Sequence, residues 1–228
     1  MSWACGHNLK IAFVGTGAQG ASIGADFALA GLDVTFIEQW PEHVDAMNER
    51  GNTVNMPSRP VHAKVRVKHL CQVAEMREPF DLVFLVVKAY DTGWTCQLIK
   101  PVLASDGLVV GVQNGMTQHA IASVVGAGRT VGAVFDMASN MFTPGVTNRQ
   151  NDHDTCWFSL GAIDPTNRQR VETIAELPCG TTVERLPAWS MRRCLRATFI
   201  ASTDRSIWPK RHVREPHDIS KGEAYELG

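Results

Sequence analysis

The sequence has few of the features that mark secreted, membrane or nucleic-acid-binding proteins. Its longest continuous apolar run, Leu82 to Val87, is far shorter than the roughly 18 residues of a membrane-spanning helix. The chain does not open with a basic segment followed by an apolar one, so no signal peptide is predicted. Basic residues number 22 and acidic residues 23, a balance that gives no general attraction to nucleic acid or to an anionic membrane. We therefore predict a cytoplasmic protein that binds neither nucleic acid nor membrane.

Patterns that hold metals or disulfides are also missing. The six cysteines are scattered without a C-x-x-C pair, and the eight histidines form no H-x-x-x-H pair. Without a signal peptide, the cysteines are expected to be reduced thiols. The sequence therefore predicts no metal site.

The first 140 residues do contain a repeated alternation of strand and helix patterns. Continuous apolar runs at Leu82–Val87 and Leu108–Val112 are typical of strands that are buried on both faces of a parallel sheet. Good helix formers over Ala18–Ala30 end at Gly31, and Val61–Val67 alternates in a way that predicts one exposed or edge strand. The alternation predicts an α/β fold, a Rossmann-like doubly wound and mostly parallel sheet.

The pattern changes beyond residue 141. Strands are predicted over residues 141–148, around a turn at Pro144-Gly145, and over residues 155–160. A helix and a last strand are predicted over residues 167–177 and 181–184. After Ala188 no convincing period is seen. We therefore predict a Rossmann-type NAD(P)-binding domain over residues 1–187, and over residues 188–228 the start of an incomplete α-helical second domain.

A glycine-rich loop connects the first predicted strand to the first predicted helix. It has the G-x-G-x-x-G pattern of dinucleotide-binding sites and consists of Gly15, Thr16, Gly17, Ala18, Gln19 and Gly20. In such a loop Gly15 permits the tight turn, Gly17 lets the backbone approach a pyrophosphate, and Gly20 lets helix and strand pack closely. The free N–H groups of the helix N-terminus would then face the anion. The loop therefore predicts a dinucleotide-binding site.

An acidic residue, Glu38, ends the second predicted strand, 18 residues after Gly20. A carboxylate at this place in the fold accepts hydrogen bonds from the ribose hydroxyls of adenosine and repels a 2′-phosphate. No Arg or Lys follows until Arg50. The sequence thus favours NAD over NADP, and the alternative is a solvated carboxylate at the end of a strand.

Three further motifs fall at the carboxyl ends of predicted strands, where ligands bind in open α/β sheets. They are VVKAY at 86–90, QNGM at 113–116 and DMASN at 136–140, the last of which is followed by Pro144-Gly145. With the glycine loop near residue 15, their order and spacing resembles the ketopantoate reductase (2-dehydropantoate 2-reductase) family. The resemblance covers residues 10 to about 190.

This resemblance implies an NAD(P)-dependent oxidoreductase that reduces a small-molecule 2-oxo acid to a 2-hydroxy acid, as in pantothenate biosynthesis. It implies that Lys88, Asn114 and Ala138 contact the cofactor, and that Asn114 also lies beside the nicotinamide and reaches the substrate. Because the family often uses NADP, either NAD or NADP is expected. A homodimer is compatible with the resemblance.

The sequence departs from the family near the start of the second domain. The family pattern W-x-K-L-x-x-N supplies a lysine as general acid, but here Met191 replaces that lysine and Leu195 replaces the asparagine. Arg192 is a nearby cation that could bind a carboxylate, although an arginine is a poor acid. Glu226 would correspond to a late family glutamate that faces the active site. Two hypotheses follow: a 2-oxo-acid reductase, or a catalytically impaired module that binds the dinucleotide without turnover.

Overall fold

A computed structural model describes residues 9–114, 117–177 and 182–185. The described strands are β1 (Lys10–Val14), β2 (Asp33–Glu38), β3 (Asn52–Asn55), β4 (Pro60–Ala63), β5 (Arg66–His69), β6 (Phe80–Leu85), β7 (Leu103–Val112), β8 (Thr130–Asp136), β9 (Ser139–Thr143), β10 (Val146–Arg149), β11 (Trp157–Ala162) and β12 (Thr182–Arg185). The described α-helices are α1 (Ala18–Leu29), α2 (Pro41–Arg50), α3 (Thr92–Ile99), α4 (Gln118–Val125) and α5 (Arg168–Ala175).

The main sheet has eight strands in the order β12-β11-β8-β7-β6-β1-β2-β5. Every neighbouring pair is parallel except β11 and β8, which are antiparallel. After β1 the chain adds β2 on one side of this strand, and it later adds β6, β7 and β8 in turn on the other side. The Rossmann-like, doubly wound and mostly parallel sheet predicted from the sequence is therefore confirmed, with its switch point between β1 and β6.

Helices cover both faces of this sheet because alternate residues of each strand point to opposite sides. On one face, Phe13 of β1 packs in a cluster with Phe27 of α1, and the same cluster includes residues of α5. On the other face, Val14 joins a cluster with Ile99 of α3 and Ile121 of α4. Between the two helical layers β1 and β6 pair in parallel, so their carboxyl ends lie side by side.

A second sheet of four strands, in the order β4-β3-β10-β9, packs against α1. Polar contacts join the small sheet to α1: Asn52 Nδ2 donates to the backbone oxygen of Ala21 at 2.8 Å. The Arg149 guanidinium lies 2.6 Å from Asp26 Oδ2, and His153 Nε2 lies 2.8 Å from Asp26 Oδ1. The small sheet therefore sits beside the helix that follows the glycine loop.

The prediction of one strand over Val61–Val67 is wrong. The chain changes sheets within this segment, so β4 ends at Ala63 in the small sheet and β5 starts at Arg66 on the edge of the main sheet. Ala63 is buried against the small sheet's own cluster, whereas Val67 belongs to the main core. The apolar–polar alternation continues through the change, so periodicity gives no sign of it.

The segment predicted over residues 141–148 is present as β9 and β10, and the strand predicted over residues 155–160 is present as β11. The predicted helix is α5, and β12 lies where the last strand is predicted. Residues 188–228 lie outside the described residues, so the second domain stays a prediction. Within the described residues, no helix is both long and apolar enough to span a membrane.

Candidate functional site

A cavity of about 620 Å³ opens at the carboxyl ends of β1, β2, β6 and β7, at the switch point of the main sheet. Its walls come from the glycine loop, from the segments that follow these four strands, and from the end of β8. The lining residues that the sequence analysis selected are Gly15, Gly17, Ala18, Gln19, Glu38, Lys88 and Asn114. The structure thus brings seven predicted residues, from four separate segments of the chain, to one cavity.

The three glycines of the loop have different local surroundings. Gly15 has φ of +82°, and a Cβ there would lie 2.7 Å from Val87 Cγ1. A Cβ on Gly20 would lie 2.2 Å from the backbone oxygen of Gly15, so close helix–strand packing requires glycine at that position. A Cβ on Gly17 would meet no atom of the described chain within 4 Å. Gly17 therefore leaves open space in the cavity wall, which the fold itself does not need.

The N-terminus of α1 is left uncapped at the cavity. No side chain of the described residues caps the helix at Gly17, and the first turn contains no acidic residue. The N–H groups of a first helical turn have no acceptor within the helix, and they carry the positive end of the helix dipole. Because Gly17 and Ala18 line the cavity, this end of the helix is suited to bind an anion.

Glu38 is 6% exposed and lines the cavity beside the glycine loop. Its Oε1 accepts hydrogen bonds from the backbone N–H groups of Gln39 at 2.8 Å and Trp40 at 3.1 Å. Thr16 Oγ1 donates to Oε2 at 3.2 Å. The alternative of a solvated carboxylate is therefore wrong, because the backbone and Thr16 hold this carboxylate in a buried position.

The segment after β6 forms part of the rim of the cavity. Lys88 is exposed there, and no acidic side chain in the described part of the chain forms an ion pair with it. Tyr90 is 82% exposed and Trp94 42% exposed, although both are large aromatic residues. Trp94 Nε1 donates to Asp91 Oδ1 at 2.7 Å, which fixes the indole. These two aromatics are not among the site residues predicted from the sequence, although their position after a buried strand is a usable signal.

Asn114 joins the ends of two strands at the opposite side of the cavity. Its Nδ2 donates to the backbone oxygen of Phe135 at 3.2 Å, and the N–H of Phe135 donates to Asn114 Oδ1 at 3.2 Å. The side chain therefore pairs with β8 as a backbone amide would. Because each amide atom has capacity for a second hydrogen bond, Asn114 can still contact a ligand in the cavity.

Gln113, next to Asn114, connects the segments around the cavity and is not among the site residues predicted from the sequence. Its Nε2 donates to the backbone oxygen of Val87 at 2.8 Å and to Thr92 Oγ1 at 2.9 Å, and its Oε1 accepts from the hydroxyl of Thr117. The side chain is buried. Gln113 thus connects the ends of β6 and β7 to the starts of α3 and α4.

Ala138, selected through the family resemblance, does not line the cavity. Its N–H donates to Asn151 Oδ1 at 3.0 Å, and its oxygen accepts from the N–H of Gln150 at 2.8 Å. Its neighbour Ser139 lines the cavity instead. A cofactor contact by Ala138 stays a prediction, and the cavity lends it no support because both backbone groups are engaged elsewhere.

Thr16 and Gly20 are also absent from the cavity wall and shape it indirectly. Thr16 is fully buried, and its backbone oxygen lies 2.9 Å from Nε2 of His43. His43 is buried on α2, and burial lowers the pKa of its imidazole. The predicted residues Arg192 and Glu226 lie outside the described residues, as does Met191. Within the described ranges, no three His, Cys, Asp or Glu side chains come together as a metal-binding group.

Comparison with known families agrees with this geometry. Residues 11–162, which include the glycine loop, Glu38 and all the strands that surround the cavity, match the family described as Ketopantoate reductase PanE/ApbA. The chain belongs to the ketopantoate reductase family. Members of the ketopantoate reductase family are oxidoreductases, and the matched region coincides with the doubly wound sheet described above.

Individual relatives carry the same family name. The chain is 32% identical over 108 residues to the 2-dehydropantoate 2-reductase of Lactococcus lactis. The aligned region covers 47% of this chain and 34% of that protein. It is 28% identical over 138 residues to the 2-dehydropantoate 2-reductase of Pyrococcus horikoshii, with 60% of this chain and 43% of the relative covered. The chain therefore spans less than half the length of these two curated relatives.

Solved structures show the same fold. The 2-dehydropantoate 2-reductase of Geobacter metallireducens superposes with a TM-score of 0.70 at 26% identity, covering 78% of this chain and 58% of that one. D-mandelate dehydrogenase in a ternary structure with NADH and anilino(oxo)acetate superposes with a TM-score of 0.74 at 20% identity, covering 83% and 60%. At 20% identity, the second likeness supports the fold alone.

Proposed function

We propose that this chain binds NAD(P) in the cavity at the switch point and acts as, or forms part of, an enzyme that reduces a 2-oxo acid to a 2-hydroxy acid. One observation carries the proposal: the uncapped N-terminus of α1 meets the cavity at Gly17, where a Cβ would meet no atom of the described chain within 4 Å. A pyrophosphate fits this space because it needs close backbone approach and several N–H donors. Family membership supports the same cofactor class.

The adenosine half of the dinucleotide would lie toward Glu38. Its carboxylate is oriented by two backbone N–H groups and lines the cavity, so it is placed to accept hydrogen bonds from ribose hydroxyls. Lys88 would supply a positive charge to phosphate or ribose oxygens. Tyr90 and Trp94 give the rim an aromatic surface against which a planar base can stack. The buried carboxylate favours NAD over NADP because it would face the 2′-phosphate.

The nicotinamide half would lie toward Asn114, Phe135 and Ser139. When bound, reduced nicotinamide supplies a hydride to the carbonyl carbon of the substrate. Asn114 would orient the 2-oxo acid through the hydrogen-bonding capacity that its pairing with Phe135 leaves free. The product alkoxide must then receive a proton from a positioned acid.

A second candidate function, dinucleotide binding without efficient turnover, is favoured by Met191. The family resemblance places the lysine that acts as general acid at this position, and a methionine has no proton to donate. Loss of a general acid lowers rates by roughly 10²–10⁴. Cytoplasmic location and a homodimer stay expectations from the sequence and the resemblance.

The test combines binding with turnover. We expect NADH to bind the unmodified chain in a direct titration and its oxidation with 2-dehydropantoate to be slow. Met191→Lys should raise turnover and leave cofactor affinity unchanged. Turnover by the unmodified chain near about 10 s⁻¹, a typical enzyme rate, would exclude the impaired module. Failure to bind either NADH or NADPH would exclude both functions.

A further inference from the structure

A fully buried histidine of α2, His43, lies between the glycine loop and the turn that joins β9 to β10. Its Nδ1 accepts a hydrogen bond from the N–H of Gly145 at 2.8 Å. Its Nε2 lies 2.9 Å from the backbone oxygen of Thr16. A backbone oxygen can only accept, so the ring proton is on Nε2 and is donated to Thr16, while Gly145 occupies the other nitrogen.

This hydrogen bond fixes the orientation of the peptide between Thr16 and Gly17. The C=O and N–H groups of a trans peptide lie in one plane and point in opposite directions, and no peptide bond within the described ranges is cis. The oxygen points into the interior, because Thr16 and His43 are both fully buried. The N–H of Gly17 must therefore point away from His43.

The N–H of Gly17 is available to a ligand. It donates to no acceptor among the residues that the structure describes. Gly17 lines the cavity, whereas Thr16 and His43 do not. A Cβ on Gly17 would meet no atom of the described chain within 4 Å, so the space around this residue is open. An anion in the cavity can therefore accept a hydrogen bond from this N–H.

We propose that His43 is a positioning residue for the dinucleotide: its bond to the Thr16 oxygen holds the N–H of Gly17 toward a pyrophosphate oxygen. This inference rests on the proposed function. A hydrogen bond from a backbone N–H to a phosphate is charge-assisted, and it weakens steeply when the donor is misaligned. Gly145 contributes by keeping Nδ1 unprotonated, so the small sheet supports the glycine loop through one imidazole.

Two amide variants separate the two contacts of the ring. The Oδ1 atom of an asparagine can take the place of Nδ1, so His43→Asn can keep the contact with Gly145 but is too short to reach Thr16. The Nε2 atom of a glutamine can take the place of the ring Nε2, so His43→Gln can keep the bond to the Thr16 oxygen. Both variants introduce the same amide group and each loses one hydrogen bond, so they are matched in chemistry.

Direct titrations with ADP-ribose and with NADH provide the first readout, because both ligands contain the pyrophosphate. We expect His43→Asn to weaken both ligands by the same factor, about 10-fold, the lower end of the effect of one hydrogen bond to a charged group. His43→Gln should restore both affinities to within about 2-fold of the unmodified chain. His153→Asn is the control, because His153 contacts Asp26 and not the glycine loop, and it should leave both affinities unchanged.

An NMR titration of the isotope-labelled, unmodified chain provides a readout that does not depend on folding of the variants. The amide proton of Gly17 should shift downfield when ADP-ribose is added, because a charge-assisted hydrogen bond forms. The nitrogen shifts of the His43 ring should show the proton on Nε2. In His43→Asn the downfield shift of Gly17 should be smaller, whereas in His43→Gln it should be kept.

The outcomes distinguish this inference from the proposed function. If neither ADP-ribose nor NADH binds the unmodified chain, the dinucleotide site itself is wrong. If they bind, but the two amide variants are weakened equally or His43→Asn is not weakened, the role of His43 is overturned while the site stands. The role is also overturned if the Gly17 amide proton does not shift or if the ring proton is on Nδ1, and these two results decide the matter if His43→Asn does not fold.

Discussion

Nε2 of His43 lies 2.9 Å from the backbone oxygen of Thr16, in the middle of the glycine loop. On the other side of the ring, Nδ1 accepts a hydrogen bond from the N–H of Gly145 at 2.8 Å. Because this N–H can only donate, Nδ1 carries no proton and the imidazole is neutral. His43 therefore connects the glycine loop to the β9–β10 turn of the small sheet.

The neutral state of His43 predicts a specific dependence of stability on pH. Burial lowers the pKa of His43 in the folded chain, although the hydrogen bond with the Thr16 backbone oxygen and the charge of Glu38 partly oppose this effect. Below the unfolded value of about 6.5, the unfolded chain binds more protons, so stability is lost as the pH falls. In urea unfolding between pH 8 and pH 5, the unmodified chain should lose stability more steeply than His43→Gln. Parallel pH profiles for the two proteins would contradict this assignment.

Gly17 and Gly20 should respond oppositely to substitution. Gly17→Val places a side chain into open space of the cavity, so cooperative unfolding should be kept while NADH binding is lost. Gly20→Ala forces a Cβ to within 2.2 Å of the Gly15 oxygen, so the free energy of unfolding should fall by more than about 1 kcal/mol. Thermal unfolding and NADH titration of both variants test this contrast. Unchanged NADH affinity in Gly17→Val would show that the pyrophosphate lies elsewhere.

Much of the main sheet could be predicted from the sequence because its central strands are buried on both faces. A continuous apolar run such as Leu108–Val112 is not expected in a solvent-exposed strand, so it predicts a buried one. The small sheet was harder to predict. Its strand β3, Asn52–Asn55, contains two asparagines and has little intrinsic strand propensity, so it depends on pairing with β4 and β10 and on packing against α1.

The candidate site likewise contains features that the sequence predicts and features that it does not. The backbone requirements of the glycine loop are visible in sequence, since each glycine has a distinct steric reason. Side-chain partners are not visible in sequence, because Gln113 and His43 form hydrogen bonds with residues that are distant in the chain. Asn114 was identified through the resemblance, but its pairing with Phe135 depends on the register of β7 and β8.

The ion pair between Asp26 and Arg149 should contribute strongly to attachment of the small sheet. Their side chains are 6% and 0% exposed, and the pair links α1 to β10. Arg149→Met leaves a buried carboxylate without its main partner, which typically costs about 3–5 kcal/mol. The exposed pair of Arg50 and Glu49 is the control, and Arg50→Met should change stability little. Urea unfolding measures both, and equal effects would show that burial of the first pair is unimportant.

Glu38 should make the chain select NADH over NADPH. A carboxylate that faces the 2′-phosphate in a partly dry site disfavours it by about 1–3 kcal/mol, roughly 5- to 150-fold in affinity. Glu38→Ser combined with Gln39→Arg should shift the preference toward NADPH, because the arginine pairs with the phosphate. Since Glu38 also accepts from the N–H groups of Gln39 and Trp40, Glu38→Gln is the matched control. It removes the charge and keeps an acceptor oxygen, so it should reduce discrimination with less loss of stability than Glu38→Ser. Parallel titrations of both dinucleotides test this, and tighter binding of NADPH than NADH by the unmodified chain would refute it.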